Sequence, residues 1–286
     1  MPELVCIGNL TVDEAVQPDG SRAISAGGDA VFAALAARQY LDDVRILAPL
    51  GTDLPPELDH AIRLAGSDPA DQPRRDLPTV RNIIRYDSIG GRTWELVEGE
   101  KHFDAMSVYP EDVPASVLSA DGILTLAMSF ESQVALGPWL RSNSNAMLYL
   151  DLQEDYLQHT DALLALVAAS DVFLPSEIEA TALAGTDDLT AAALFFRDRG
   201  ATTVVIKRAA EGCLVLAPGI ESPLPVAALS VTAVDSTGAG DAFCGAFAAV
   251  HLQTGDPIEA AHAGAAAAAI AISGFGISAL VRRVAA

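Results

Sequence analysis

Basic residues are scarce. The 286-residue chain has 17 Lys plus Arg against 38 Asp plus Glu, a formal net charge of −21. Phosphate backbones attract basic surfaces, so general nucleic-acid binding is excluded and no nucleic-acid partner is expected. The same field repels polyanionic substrates at long range. Cysteine is scarce too. Cys6, Cys213 and Cys244 are odd in number and far apart, and no Cys-x-x-Cys occurs. A disulfide framework and a zinc knuckle are therefore excluded. The histidines His60, His102, His159, His251 and His262 show no metal-ligand spacing. No basic and apolar leader precedes the first strand-like run at about Glu3, so a cytoplasmic location is expected. Residues 263–281 lack charge and are long enough to span a bilayer. They are mostly Ala, broken by Gly264, Gly274 and Gly276, which fits a buried helix and a loop. No membrane partner is expected.

Apolar residues make up 51% and charged residues 19%, which suits a substantial core and excludes a disordered chain. Short apolar runs at 4–7, 44–47, 122–126, 146–150, 172–174 and 203–206 read as strands. Helix-like stretches such as 30–41, 162–169 and 190–199 lie between them. Continuous apolar strands separated by helices predict an α/β fold with a mostly parallel sheet covered on both faces. Two regions break the rhythm. Residues 11–25 surround Pro18-Asp19-Gly20, and residues 79–97 surround Ser88-Ile89-Gly90-Gly91. Both carry turn chemistry and read as hairpins that form a small β layer. The Pro- and Asp-rich stretch 68–78 is expected to be a flexible lead-in. Near the C-terminus, Asp256, Pro257 and Glu259 mark a helix start by capping, by Pro at the first position, and by an acid three residues after the cap.

The most informative segment is Val234-Asp235-Ser236-Thr237-Gly238-Ala239-Gly240-Asp241-Ala242-Phe243. It lies between a strand-like run at 230–234 and a helix of small residues at 242–252. A helix N-terminus offers unpaired N–H groups and partial positive charge. Gly238 and Gly240 let the main chain approach a ligand closely. Gly238, Ala239 and Gly240 thus form an anion cradle. Asp241 is electrostatically awkward beside an anion, unless it takes a proton from a hydroxyl attacking that anion. Read alone, Gly-Ala-Gly is equally a plain helix-entry turn. A dinucleotide fingerprint would need a third Gly where Phe243 stands, and no Gly-Lys-Ser or Gly-Lys-Thr occurs, so neither dinucleotide fingerprint nor P-loop is present.

The run from Ala233 to Phe247 resembles the C-terminal signature of the PfkB, or ribokinase-like, carbohydrate kinases, whose usual form is Asp-Thr-Thr-Gly-Ala-Gly-Asp-x-Phe. The resemblance extends over nearly the whole chain. It implies one domain over 1–286, a ribokinase-like three-layer sandwich with a small β lid from about 11–25 and 79–97. It implies ATP and Mg²⁺ as cofactors, with K⁺ as a further ion. Asp241 is implied as the base. Asp13 and the pair Gly27-Gly28, with Asp29, fall at substrate-binding positions. Phe32 stands where the family has a substrate-binding Asn, which argues against ordinary hexose or ribose recognition. Ser176 and Glu179 fall on Asn-x-x-Glu, where Glu179 organises Mg²⁺ through water and Ser replaces Asn. Lys207 and Gly212 fall on the nucleotide-side Lys-x-Gly-x-x-Gly, with Ala209 replacing the first Gly. Gly276 lies where the family closes around adenine. Asp235 and Thr237 are implied as carbonyl ligands of a monovalent cation. Asp151-Leu152-Gln153-Glu154-Asp155 lacks the Arg used with keto-acid sugars, which disfavours an anionic acid sugar.

Other readings of these residues stay open. Asp13 is equally a hairpin-surface carboxylate, Glu179 a solvated helix residue, and Lys207 a structural or solvent-facing lysine. Phe32 is either core filling or an apolar wall for a sugar ring or a base. Tyr86 and Trp94 on the second hairpin are packing residues or a cover for substrate. Three functions follow. The first is an ATP-dependent kinase for a hydroxyl of a small sugar-like molecule. The second is a nucleoside kinase of the same family, motivated by Phe32. The third is a ligand-binding relative with little catalysis, motivated by Phe32, Ser176 and Ala209. Exposed lid edges favour a homodimer through the β lid.

Overall fold

The computed structural model of the chain describes residues 1–87 and 91–286. The central sheet uses strands β1 (Leu4–Ile7), β4 (Val44–Leu47), β7 (Gly122–Thr125), β8 (Met147–Leu150), β9 (Val172–Phe173), β10 (Thr203–Lys207), β11 (Cys213–Leu216) and β12 (Leu224–Val226). The remaining strands, β2 (Thr11–Val16), β3 (Arg22–Gly27), β5 (Val80–Tyr86) and β6 (Arg92–Leu96), form the small sheet. The eight-stranded order is β12-β11-β10-β9-β8-β7-β1-β4. Pairs from β4 through β10 are parallel, and β11 and β12 are antiparallel additions.

Apart from the edge strand β12, the central strands are largely buried on both faces, because their side chains point alternately into two covering layers. Leu4 and Cys6 pack with the helices Asp29–Ala37, Ala239–Thr254 and Pro257–Ile272. Val5 and Ile7 pack on the opposite side with Leu136 and Leu140 of the helix Phe130–Asn143. Farther along that same side, Phe173, Val204 and Ile206 meet Leu163, Leu183 and Phe196. The result is a helix–sheet–helix sandwich.

In the small sheet, ordered β3-β2-β5-β6, the two hairpins lie side by side with β2 parallel to β5 and Asp13 opposite Asn82. The first hairpin turns at Gly20, whose φ is +84°. Ser88, Ile89 and Gly90 of the second turn lie outside the described residues, while Asp87 and Gly91 bond to each other at its base.

Two expectations need correction. Residues 230–234 are not a strand. Their apolar alternation leaves Leu229, Val231 and Val234 exposed, and the main chain instead bonds from Val234 N to Ile272 O at 2.7 Å. Residues 68–78 are held rather than loose. Leu50 exchanges main-chain bonds with Pro73 and Arg75, and buried Gln72 accepts from Ala48 N at 3.1 Å. The uncharged stretch 263–281 divides between the helices Pro257–Ile272 and Ser278–Val284. No helix among the described residues is long and apolar enough to cross a membrane.

Candidate active site

Ligands of open α/β sheets bind beyond the carboxyl ends of the strands. Here Asn9 follows β1, Asp151 follows β8, Ser176 follows β9, and Lys207 closes β10. Two helix N-termini arrive at the same end. The helix Ala239–Thr254 starts at Gly238, with φ +72°, and the helix Asp29–Ala37 starts at Gly28, with φ +105°. Gly245 lets them touch, since a Cβ there would stand 2.0 Å from Ala33 O. Small residues on both helices therefore bring Asp29 and Asp241, one in each first turn, into electrostatic range. Their two N-terminal dipoles add positive potential where the carboxylates gather.

On the small-sheet side, Asp13 is 4% exposed and accepts from Asn82 Nδ2 at 2.9 Å. Gly27 leaves room for that carboxylate, since a Cβ there would lie 2.1 Å from Asp13 Oδ2 and displace it. Gly28 presses on the main chain of Asn9 and Leu10. Burial pushes the Asp13 carboxyl up to about 6, against hydrogen bonds from Asn82 and Thr11 that lower it. Asp29 is raised well above the usual range by burial, then by Asp241, Asp151 and Asp13. The fold thus gathers Asp13, Gly27, Gly28, Asp29 and Asp241 around one end of the sheet.

Phe32 does not join them as a wall. It is 1% exposed, and its ring fills the space beneath Gly238, where a Cβ would meet Cδ1 at 2.3 Å. It is core filling that supports the turn.

Ser176 and Glu179 form a reciprocal cap on the helix Glu177–Ala184. Ser176 N donates to Glu179 Oε2 at 2.7 Å, and Glu179 N donates to Ser176 Oγ at 3.2 Å. Glu179 is pushed up to about 7 by burial and Asp151, with Lys207 and the Ser176 bonds opposing. Lys207 bridges to Ser176 through the main chain, and its Nζ reaches Asp151 Oδ1 at 2.7 Å and Cys244 Sγ at 3.4 Å. It therefore belongs to the strand-end cluster rather than standing in solvent. Gly212 is different. With φ +89°, it packs against β12, where a Cβ would lie 2.0 Å from Val226 O.

Asp235 is a hub. Its Oδ1 accepts from Thr237 N at 3.0 Å and Tyr86 Oη at 2.8 Å, and its Oδ2 accepts from Gly276 N at 3.1 Å. Gly276 also presses on Ser25 of β3. The side chains of Asp235, Tyr86 and Thr237 thus tie the small sheet to the Gly-rich turn.

Sequence reading named Asp151 and Tyr86 without these contacts and missed Asn82. Asp151 carries a signal, a carboxylate directly after an apolar strand. Asn82 and the Tyr86 hydroxyl carry none, because their partners come from register between two hairpins and from a distant loop. Among the described residues no group of three or more His, Cys, Asp or Glu could hold a metal ion alone. Glu179 is buried beside Asp151, and one or two carboxylates suit Mg²⁺ delivered on phosphates, since that ion keeps several waters and needs few protein ligands.

Comparisons with known proteins bear on the fold and the family. The profile of the pfkB family carbohydrate kinases matches residues 102–282. The cytidine kinase of Thermococcus kodakarensis is 30% identical over 273 residues, covering 91% of each chain. The adenosine kinase from Sinorhizobium meliloti superposes with a TM-score of 0.80 at 19% identity, over 98% of each chain. Ribokinase from Thermotoga maritima gives 0.77 at 22%, over 100% of this chain and 98% of its own. The fold is ribokinase-like, with a mostly parallel central sheet and a small second sheet. The chain belongs to the pfkB family of carbohydrate kinases. It is a phosphotransferase of the sugar and nucleoside kinase type, acting on small molecules.

Proposed function

We propose that this chain transfers the γ-phosphoryl group of ATP to a hydroxyl of a small sugar-like acceptor, with Asp241 as general base. The observation that carries the reading is the place of Asp241. It stands in the first turn of a helix that opens on Gly238, Ala239 and Gly240, beside the carboxylate Asp29 of the acceptor side. Asp13, Asn82 and the main chain at Gly27 and Gly28 would bind acceptor hydroxyls. The amides at the helix start would stabilise charge on the phosphoryl oxygens. An acceptor oxygen forms a bond to the γ-phosphorus, the bond from that phosphorus to the bridging oxygen breaks, and ADP leaves with its electron pair. The acceptor proton passes to the Asp241 carboxylate. Mg²⁺ would neutralise phosphate charge and meet Glu179 through water. With the Asp235 and Thr237 side chains committed to Tyr86 and Gly276, K⁺ would rest on main-chain oxygens.

A nucleoside acceptor is the second reading. It no longer draws on Phe32, which is buried, and instead draws on the cytidine kinase similar over 91% of the chain. The net charge of −21 supports a neutral acceptor in both cases. ATP consumption against pentoses, hexoses, their deoxy forms and nucleosides separates the two. Asp241→Asn should keep ATP affinity and lose roughly 10²–10⁴-fold in kcat. Near-normal turnover in that variant removes Asp241 as base. ATP binding without product from any acceptor favours a ligand-binding relative.

A further inference from the structure

A parallel ladder is evenly spaced, so the bonds already made fix which bond comes next. Leu126 N donates to Ile7 O at 2.9 Å, and Asp151 N donates to Thr125 O at 2.9 Å. One rung further, Asn9 N would donate to Leu126 O across β1 and β7, and Ala127 N to Asp151 O across β7 and β8. Neither bond forms among the described residues. One side chain takes both carbonyls instead. Gln133, on the helix Phe130–Asn143, donates from Nε2 to Leu126 O at 3.0 Å and to Asp151 O at 3.3 Å. A side-chain amide has two N–H donors, and both are engaged here. Gln133 is 3% exposed, and its Oε1 finds no donor among the described residues. A buried oxygen left unpaired is destabilising, and an apolar side chain would avoid it. The amide therefore answers to the strand end and not to packing.

This exchange releases two main-chain donors. Asn9 N and Ala127 N bond to nothing among the described residues. Main-chain N–H groups in folded proteins are nearly always paired, so each release needs a reason. Asn9 is wholly buried. Ala127 is the one residue of 126–129 that is not, so a bound molecule can reach it. It lies between the ends of β1 and β8, where ligands of such sheets bind. On one side Asn9 Nδ2 reaches Ala127 O at 3.5 Å, and the chain runs on from Asn9 into β2 and Asp13. On the other side stands Asp151.

We propose that the main-chain N–H of Ala127 donates to an oxygen of the acceptor, and that Gln133 is the positioning residue that leaves it free. This rests on the kinase reading above, and the bond changes remain those already written. A neutral main-chain donor binds a hydroxyl, ring or carbonyl oxygen without adding charge.

Amide hydrogen exchange followed by NMR tests the donor in wild type. Without acceptor, the Ala127 amide should exchange at least about a hundredfold faster than that of Asp151, which is bonded to Thr125 O. The pentose, hexose or nucleoside that the screen above shows to be turned over, at saturation, should slow Ala127 at least about fivefold and leave Asp151 unchanged. Steady-state kinetics test Gln133. In Gln133→Met the ladder can close from Ala127 N to Asp151 O. Ala127 should then gain protection, KM for that acceptor should rise about tenfold, and KM for ATP should stay within about twofold. An Ala127 amide as slow as that of Asp151, or one that saturating acceptor leaves unchanged, overturns the donor. Equal rises in both KM values, or none, would make Gln133 a structural clip and overturn its positioning role. Wild-type exchange needs no variant, so the test survives if Gln133→Met fails to fold. If Asp241→Asn is inactive while acceptor leaves Ala127 unslowed, the donor assignment falls and the kinase reading stands. A wild type that phosphorylates no acceptor overturns both.

Discussion

The hydroxyl of Tyr86, at the end of β5, donates to Asp235 Oδ1 at 2.8 Å and lies 3.1 Å from Thr237 Oγ1. This contact joins the strand that carries Asn82 to the turn that leads into Asp241. Hydrogen bonds to charged groups contribute about 1.5–3 kcal/mol, and half-buried Tyr86 belongs at the low end. Tyr86→Phe should therefore lose about tenfold in kcat/KM for the acceptor, with ATP affinity little changed. Steady-state kinetics with both substrates varied checks this. An unchanged acceptor kcat/KM would mean that the small sheet holds its place without the bond.

Gly238 and Phe32 are a matched pair. The turn needs φ +72°, and the ring below leaves no room for a methyl group. Gly238→Ala should cost about 1–2 kcal/mol for the left-handed backbone and about 1–3 kcal/mol more for overpacking. Phe32→Ala should cost about 3–5 kcal/mol through the cavity it leaves. In the double variant the new methyl group gains the vacated space, so the combined loss should fall short of the sum by at least about 0.5 kcal/mol. Urea midpoints of the four proteins measure that coupling. Strict additivity would show that the ring does not restrict residue 238.

Much of the fold was legible because burial on both faces writes itself as short apolar runs. Six strands of the central sheet carry that mark, from Leu4–Ile7 to Thr203–Lys207. The antiparallel strands Cys213–Leu216 and Leu224–Val226 went unread, since the first sits in a turn motif and the second holds Pro225. Apolar alternation misled at 230–234, which pairs with no strand among the described residues. In the site, Asp241 and the Gly-rich turn were legible because helix-start chemistry is local. Local geometry also explains the glycine of the resembling motif, since Ala209 stands there at φ 47°, a left-handed conformation that costs an alanine more than a glycine. Phe32 was ambiguous because one aromatic on a helix reads alike as core or as wall. The Lys207–Asp151 pair depends on two strands 56 residues apart, and Tyr86–Asp235 on a separation of 149; neither separation leaves a mark in sequence.

Asp13 links stability to function through its burial. Its carboxyl is pushed from 3.8 up to about 6, chiefly by burial. Below about pH 4 the folded and unfolded chains both hold the proton, and the group costs nothing. As pH rises from about 4 to about 6, the unfolded chain ionises first and folded stability falls. Above about 6 the loss is constant, up to about 3 kcal/mol at 1.36 kcal/mol per pH unit. Asparagine carries no charge at any of these values, though it changes the bond to Asn82. Asp13→Asn should therefore be more stable than wild type at pH 8, by about 1–3 kcal/mol, and the difference should shrink toward zero at pH 4. The same variant should bind acceptor poorly, because a carboxylate accepting from hydroxyls has been replaced. Denaturant midpoints at pH 4, 6 and 8 measure the first effect, and acceptor KM measures the second. A variant equally stable at pH 8 would mean that Asp13 is ionised at little expense, so its burial would not be what the acceptor site requires of the fold.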